Sequence, residues 1–205
     1  MKEVSVFIRI EKEGKMPTYE SVHAAGCDVY ATKDMALRPG ETKVMPLDFI
    51  IALEPGIEAQ IRPRSGLSLK TDLRVANSPG TIDSDYRNIV GVILQNTYNI
   101  ANLPYEIATN PKLLDVLKTE YEEMTLSEYL VSKQGLPSFR DSAILKETIF
   151  VDKKGNPYGT IYIKKGERIA QMVFAEYKNA KFIPHPKPET IGEDRGGGFG
   201  HTGMK

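Results

Sequence analysis

Residues 80–96, GTIDSDYRNIVGVILQN, gather Asp83, Asp85 and Tyr86 before a β-branched run from Ile89 to Leu94. A carboxylate is ionised at neutral pH and can take a proton from a bound water, and an aromatic ring next to it can pack on a small ligand. Pro79 and Gly80 ahead of the acids, and Arg87 and Asn88 after them, are turn formers. Acids and turn formers leading into a β-branched run read as a β-hairpin with a polar tip and arms that enter a core. Its backbone amides and carbonyls would then be free to read a flat polar edge. Asp85 reads as a turn former through local hydrogen bonds. Taken alone, the same pattern is also what a solvated surface turn contains.

Three other groups carry usable chemistry. Arg64, Ser65 and Gly66 offer a planar fork of donors, a hydroxyl and a side-chain-free backbone, a set suited to phosphate oxygens; an ordinary loop with a solvated arginine is the plainer reading. Asp28 lies in an apolar strand segment beside Cys27. A lone cysteine there reads as a small buried hydrophobe rather than a nucleophile, and a single cysteine excludes an internal disulfide. Arg195, Phe199, Gly200, His201 and Thr202 furnish a glycine-rich tail with stacking and anion-binding groups, which reads as an arm that orders over a ligand.

Short strands between turns must position these residues. Strands are expected over residues 3–10, 26–31, 42–53 (one or two) and 59–62, with turns at 38–40 and 54–56, and no helix signal occurs in the first 100 residues. That spacing argues for an all-β barrel or sandwich. After Asn96 the pattern changes. Asn110 and Pro111 start a helix over residues 112–123 with Leu113, Leu114, Leu117 and Tyr121 on one face. Residues 125–128, TLSE, form a capping box that opens a second helix to about Lys133, stopped at Gly135-Leu136-Pro137. Strand returns over 150–163 with a turn inside, and Gly166 to Phe174 is a last strand in which Ile169, Met172 and Phe174 face the core and Gln171 is the polar exception.

Five segments taken in order, AAGCDVYA (24–31), PRSGLSLK (63–70), GTIDSDYRN (80–88), KKGERIAQMVF (164–174) and RGGGFGHTG (195–203), resemble the ordered motifs of the trimeric dUTPases. The resemblance implies a mainly β, dUTPase-like barrel or jelly roll formed by residues 1–98 and 159–180. It also implies a small helical insertion at 99–158, similar to that of some phage members, and a C-terminal arm at 181–205. It implies hydrolysis of dUTP to dUMP and pyrophosphate, with Asp83 as the base that activates water and Asp28 in support. Tyr86 would pack under the deoxyribose, and the backbone around Ile82 and Gly91, with Asn77, Gly80 and Thr81 near it, would read uracil. Arg64, Ser65, Gly66 and Gln171 would contact phosphates, and Arg195, Phe199, Gly200, His201 and Thr202 would close over the nucleotide. Mg2+ would be held by phosphate oxygens and water with no direct protein ligand, in sites shared within a homotrimer.

Two places depart from the family pattern. Asn88 and Ile89 replace its usual Gly-Glu, and only three glycines separate Arg195 from Phe199. A related fold, the dCTP deaminases, would need an acid in the hairpin, and Ile89 stands where that acid is expected. A reading of another class makes residues 99–158 a module that binds a regulatory protein through an apolar stripe and exposed Tyr121 and Tyr129.

Lys plus Arg and Asp plus Glu number 27 each, so no overall field favours nucleic acid or an anionic membrane, and a polyanionic substrate must be caught by local donors. No run reaches the roughly 20 apolar residues of a membrane span. The expected location is the cytoplasm, the host's if the gene is a phage's.

Overall fold

The computed structural model describes residues 3–134, 143–194 and Gly196. In chain order it contains β1 (Val6–Ile10), β2 (Gly26–Tyr30), β3 (Met35–Leu37), β4 (Thr42–Pro46), β5 (Phe49–Leu53), β6 (Ile57–Arg62) and a short helix α1 (Ser65–Lys70). Then come β7 (Leu73–Val75), β8 (Gly80–Ile82), β9 (Gly91–Asn96), α2 (Leu103–Thr109), α3 (Lys112–Glu120), β10 (Glu122–Thr125) and α4 (Leu126–Gln134). Finally β11 (Thr148–Val151), β12 (Ile161–Ile163) and the long β13 (Arg168–Glu176) close the described chain.

The strands alternate as half-buried strands must: in β5 Phe49, Ile51 and Leu53 face inward, and in β9 Val92, Leu94 and Asn96 do. All pairings between these strands are antiparallel, in sheets ordered β2-β13-β6-β8, β4-β9-β7, β1-β5 and β12-β3. Their inner faces meet in one apolar core that includes Val29, Leu37, Met45, Phe49, Leu94 and Met172. The expected β architecture is therefore present, and the stretch expected to hold one or two strands at 42–53 holds two.

Asn96 is the one polar side chain on the inner face of β9, and it is fully buried. Its amide donates to the carbonyls of Leu37 (2.9 Å) and Gly159 (2.8 Å), and its oxygen accepts from the Tyr98 N–H (2.9 Å). All of its hydrogen-bonding work is spent joining the barrel to the segments where residues 99–158 leave and return. Those residues build their own small sheet, β10-β11, and a separate apolar cluster of Leu103, Leu117 and Phe150. Tyr158 packs edge-on against both Tyr121 (5.5 Å) and Tyr98 (5.7 Å).

The structure corrects several local expectations. Residues 80–96 do not form a paired hairpin: β8 pairs with β6 and β9 pairs with β4 and β7, so the two arms join different sheets. A helix does occur in the first 100 residues, because α1 starts directly at Ser65; it is six residues long and has no side-chain cap, so it carries no sequence signal. The helix expected over 112–123 ends at Glu120, since residues 122–125 pair with β11, and α2 precedes it. The strand expected over 150–163 divides into β11 and β12, which pair in different sheets. Tyr121 and Tyr129 are half-buried rather than exposed. The capping box at Thr125 forms: Glu128 accepts from the Thr125 N–H (2.7 Å) and hydroxyl (2.8 Å), and its own N–H donates to the Thr125 hydroxyl (3.2 Å). The stop expected at Gly135-Leu136-Pro137 lies outside the described residues.

Candidate active site

Asp28 is 1% exposed, and a buried carboxylate requires partners. It has three, one from the loop after β6 and two from β13: Arg64 Nε donates to Oδ1 (3.0 Å), Arg168 Nη1 to Oδ2 (3.2 Å) and Gln171 Nε2 to Oδ1 (3.3 Å). Strand register produces this convergence. Gln171 on β13 stands opposite Asp28 on β2 and opposite Arg62 on β6, so the chain leaving β6 delivers Arg64 to the same row. The Arg64 guanidinium also reaches the Arg168 carbonyl, at 3.4 Å. Ser65 and Gly66 open α1 immediately after it; both are exposed, and a Cβ added at Gly66 would meet nothing within 4 Å. Nothing inside the chain therefore requires glycine there, and the bare backbone is open to a ligand.

Arg168 belongs to this cluster and does not emerge from the sequence reading, although it lies within the segment that supplied Gln171. It also pairs with Glu20, at 2.9 Å. Cys27, next to Asp28, is 2% exposed with its Sγ 3.3 Å from the Met172 carbonyl, and burial pushes its thiol up. It is a core residue, as its apolar strand implies. A groove of about 770 Å³ lined by Val6, Met16, Tyr19, Val22, Cys27 and Phe174 contains none of the candidate site residues of the other segments.

Asp83 lies elsewhere. It is exposed at the end of β8, where its carbonyl accepts from the Tyr86 N–H (3.1 Å). The Tyr86 hydroxyl donates to the Ile89 carbonyl (3.0 Å), and Arg87 Nη1 donates to the carbonyls of Ser84 (2.7 Å) and Tyr86 (2.9 Å). Val90, fully buried, ties the loop to β5 through the Phe49 carbonyl. The turn thus holds the Asp83 carboxylate and a 38% exposed Tyr86 ring toward solvent on a braced backbone.

The splayed arms leave backbone groups free. β8 is the last strand of its sheet, so one edge of Gly80, Thr81 and Ile82 has no strand beside it among the described residues. On β9, the short β7 covers only Leu94 to Asn96, and Gly91 stands opposite Pro46, which has no N–H to give. A Cβ at Gly91 would lie 2.8 Å from Val44 Cγ1, which explains glycine at that position. Gly80 and Ile82 are buried, Thr81 is exposed, and the exposed Asn77 packs its amide over Gly80. Ile89 is 43% exposed in the loop.

The Asp28 row and Asp83 are well apart in one chain. Ile82 stands opposite Ala59, which puts Asp83 level with Glu58, four residues along β6 from Arg62. At about 3.3 Å per residue and about 4.8 Å per strand spacing, the strand positions of Asp28 and Asp83 are roughly 20 Å apart. Arg195, Phe199, Gly200, His201 and Thr202 lie outside the described residues.

An antiparallel β barrel that brings Asp28, Arg64, Arg168 and Gln171 to one row and carries an acidic, tyrosine-bearing turn at an open strand edge matches a known class. The dUTPase family model matches residues 12–129. A deoxyuridine 5'-triphosphate nucleotidohydrolase of Wolbachia pipientis (strain wPip) is 41% identical over 126 residues, 59% of this chain and 80% of the relative. The enzyme of the same name from Rickettsia akari is 38% identical over 117 residues, 56% of this chain and 77% of the relative. Among solved structures, the dUTPase of Staphylococcus bacteriophage 80alpha with dUPNHPP superposes with a TM-score of 0.67 at 21% identity, over 98% of this chain and 99% of that one. The dUTPase of phage phi11, solved to visualise its species-specific insert, gives 0.60 at 20% identity, over 91% and 99%. The chain belongs to the dUTPase family.

Proposed function

We propose that this dUTP diphosphatase hydrolyses dUTP to dUMP and pyrophosphate by attack of an Asp83-activated water on the α-phosphate. The observation that carries this reading is the convergence of Arg64, Arg168 and Gln171 on buried Asp28, within reach of the open backbone at Ser65 and Gly66. This row is suited to grip phosphates, with Asp28 fixing the orientation of the donors. Asp83 orients and deprotonates the water, a contribution typically worth about 10²- to 10⁴-fold. Tyr86 packs under the sugar and leaves no room for a 2′-hydroxyl. The open edges at Gly80, Thr81, Ile82 and Gly91 read uracil, and Asn77 shapes the approach. Arg195, Phe199, Gly200, His201 and Thr202 form the closing arm. The reading predicts rejection of thymine's methyl by a steric wall.

The donor set fits Mg2+ held chiefly by phosphate oxygens and water, because Asp28 is already engaged by two arginines while Asp83 is exposed and able to reach such a water. When bound, the ion would neutralise charge on the phosphates. The phi11 enzyme coordinates a structural Mg(II) ion. The separation of Asp83 from the Asp28 row favours sites shared between subunits, and the family resemblance makes the assembly a homotrimer acting in the cytoplasm. No described helix is long and apolar enough to cross a membrane.

The barrel of 1–98 and 159–180, the insertion of 99–158 and the arm of 181–205 form the working division of the chain. A second role is carried by the insertion, which presents exposed Tyr105, Val131 and Ile144 outside its own apolar cluster and fits a regulatory protein partner. The phage 80alpha dUTPase controls transfer of virulence genes. Deleting residues 100–158 should then abolish capture of that partner while hydrolysis persists.

The decisive experiment is pyrophosphate release with Mg2+ from dUTP, beside dTTP, dCTP and UTP, for the intact chain and for Asp83→Asn. Release from dUTP alone, lost in the variant, is expected. Release from dCTP, or none from any nucleotide, would refute the reading.

A further inference from the structure

The phosphate-gripping row contains an acid that the proposed reaction does not use. Arg168 Nη1 lies 2.9 Å from Glu20 Oε2 and 3.2 Å from Asp28 Oδ2, so one nitrogen serves two carboxylates. Two guanidiniums, Arg64 and Arg168, therefore face two acids, and the row is neutral as it stands. A row with no net positive charge is poorly matched to a triphosphate.

The four groups differ in freedom. The Asp28 side chain is 1% exposed and the Arg64 side chain 25%, whereas Arg168 is 40% and Glu20 58% exposed. Asp28 cannot leave, because its strand position is fixed on β2. Glu20 belongs to the segment before β2, which is tied to that strand through Thr18 and Tyr19: Thr18 exchanges both backbone hydrogen bonds with Asp28, at 2.8 and 3.2 Å, its hydroxyl bonds the Tyr30 hydroxyl, and the Tyr19 side chain hydrogen-bonds Cys27. Glu20 follows these ties with its own side chain 58% exposed, so rotation about its side-chain bonds moves the carboxylate without breaking the sheet.

We propose that Glu20 is an internal stand-in for a substrate phosphate. In the empty site it neutralises Arg168 and holds that side chain in place; an incoming phosphate group takes over Arg168, and the Glu20 side chain swings into solvent. The triphosphate thus competes with a tethered carboxylate, and the net charge of the row rises by one when the carboxylate departs. This proposal rests on the phosphate-binding reading of the row given above.

The test compares the wild type with Glu20→Gln and Glu20→Ala in two measurements. In dUTP hydrolysis, KM should fall about two- to fivefold, the size of a partly exposed ion pair, and kcat/KM should rise accordingly. In calorimetry with inorganic tripolyphosphate, binding should tighten by the same factor. Both gains should vanish in an Arg168→Lys background if a lysine no longer spans both acids, and in an Arg168→Gln background in any case. A higher KM or a lower kcat in Glu20→Gln would overturn the proposal and make Glu20 a positioning residue for Arg168. Unchanged binding and kinetics would overturn it too, leaving a solvated surface pair. Tighter tripolyphosphate binding by a chain that hydrolyses no nucleotide would support the stand-in while refuting the proposed reaction.

Discussion

Asp28 and Asp83 are both carboxylates, yet their surroundings give them opposite tasks. Asp28, enclosed by three donors, can orient but has little freedom; Asp83, exposed on a braced turn, can meet water. Asp83→Asn should therefore lower kcat by about 10²- to 10⁴-fold with an unchanged melting temperature, as read by steady-state kinetics and thermal unfolding. Asp28→Ala should also cost stability, about 2–3 kcal/mol in urea unfolding, because it leaves Arg64 without its acid and Arg168 with Glu20 alone; this is less than a fully buried pair would cost, since both arginines reach solvent. Arg64 and Ser65 were legible in the sequence because they lie in a short donor-rich motif, whereas Asp28 and Gln171 entered as site residues through the family resemblance. Arg168 and Glu20 were reached by neither route. Arg168 meets Asp28 across 140 residues of sequence, and that meeting depends on the register between β2 and β13, including the bulge between Arg168 and Ala170, which no local pattern encodes.

At the level of elements, strand existence was easier to read than strand partnership. Alternation places β5 and β9 correctly, but it says nothing of which neighbour each strand chooses, and β8 and β9 go to different sheets although a turn joins them. The capping box shows the opposite case, where three consecutive steps of local chemistry suffice. Glu128 accepts from the Thr125 N–H and hydroxyl, and these hold its carboxyl below the usual glutamate range. A carboxyl lowered on folding stabilises fully above its unfolded value, about 4.3, and that help is lost as pH falls through the lower folded value. Chemical shifts of residues 126–129 should show the first turn of α4 fraying over that acidic window, and Glu128→Gln should remove most of the dependence. Asn96 sets the junction between barrel and insertion. Asn96→Ala leaves the buried Leu37 carbonyl and the half-buried Gly159 carbonyl without their donor, and a loss of about 3 kcal/mol in urea unfolding is expected.

Across the whole molecule, the roughly 20 Å between the strand positions of Asp83 and Asp28 would leave a single chain with an incomplete site under the roles proposed for the two residues. Mixing Asp83→Asn with Arg64→Ala, each inactive alone, and allowing subunits to exchange should restore about a quarter of wild-type activity, because sites that draw the two residues from different chains can be whole. Recovery near zero would mean that both come from one chain after rearrangement. The assembly itself was never legible in periodicity; it entered through the family resemblance, and the geometry gives it a physical motive.

Cys27 adds a practical consequence. It is the sole thiol of the chain, it is shut between β2 and β13, and its peptide neighbour is Asp28. A thiol-labelling reagent can therefore mark the protein at one point only, and because the buried thiol bonds Tyr19 on the wall of the groove, labelling must await a local opening that uncovers it. The rate of labelling becomes a clock for how often the structure beside Asp28 opens, readable without any engineered probe, and a ligand that steadies residues next to Asp28 should slow the clock.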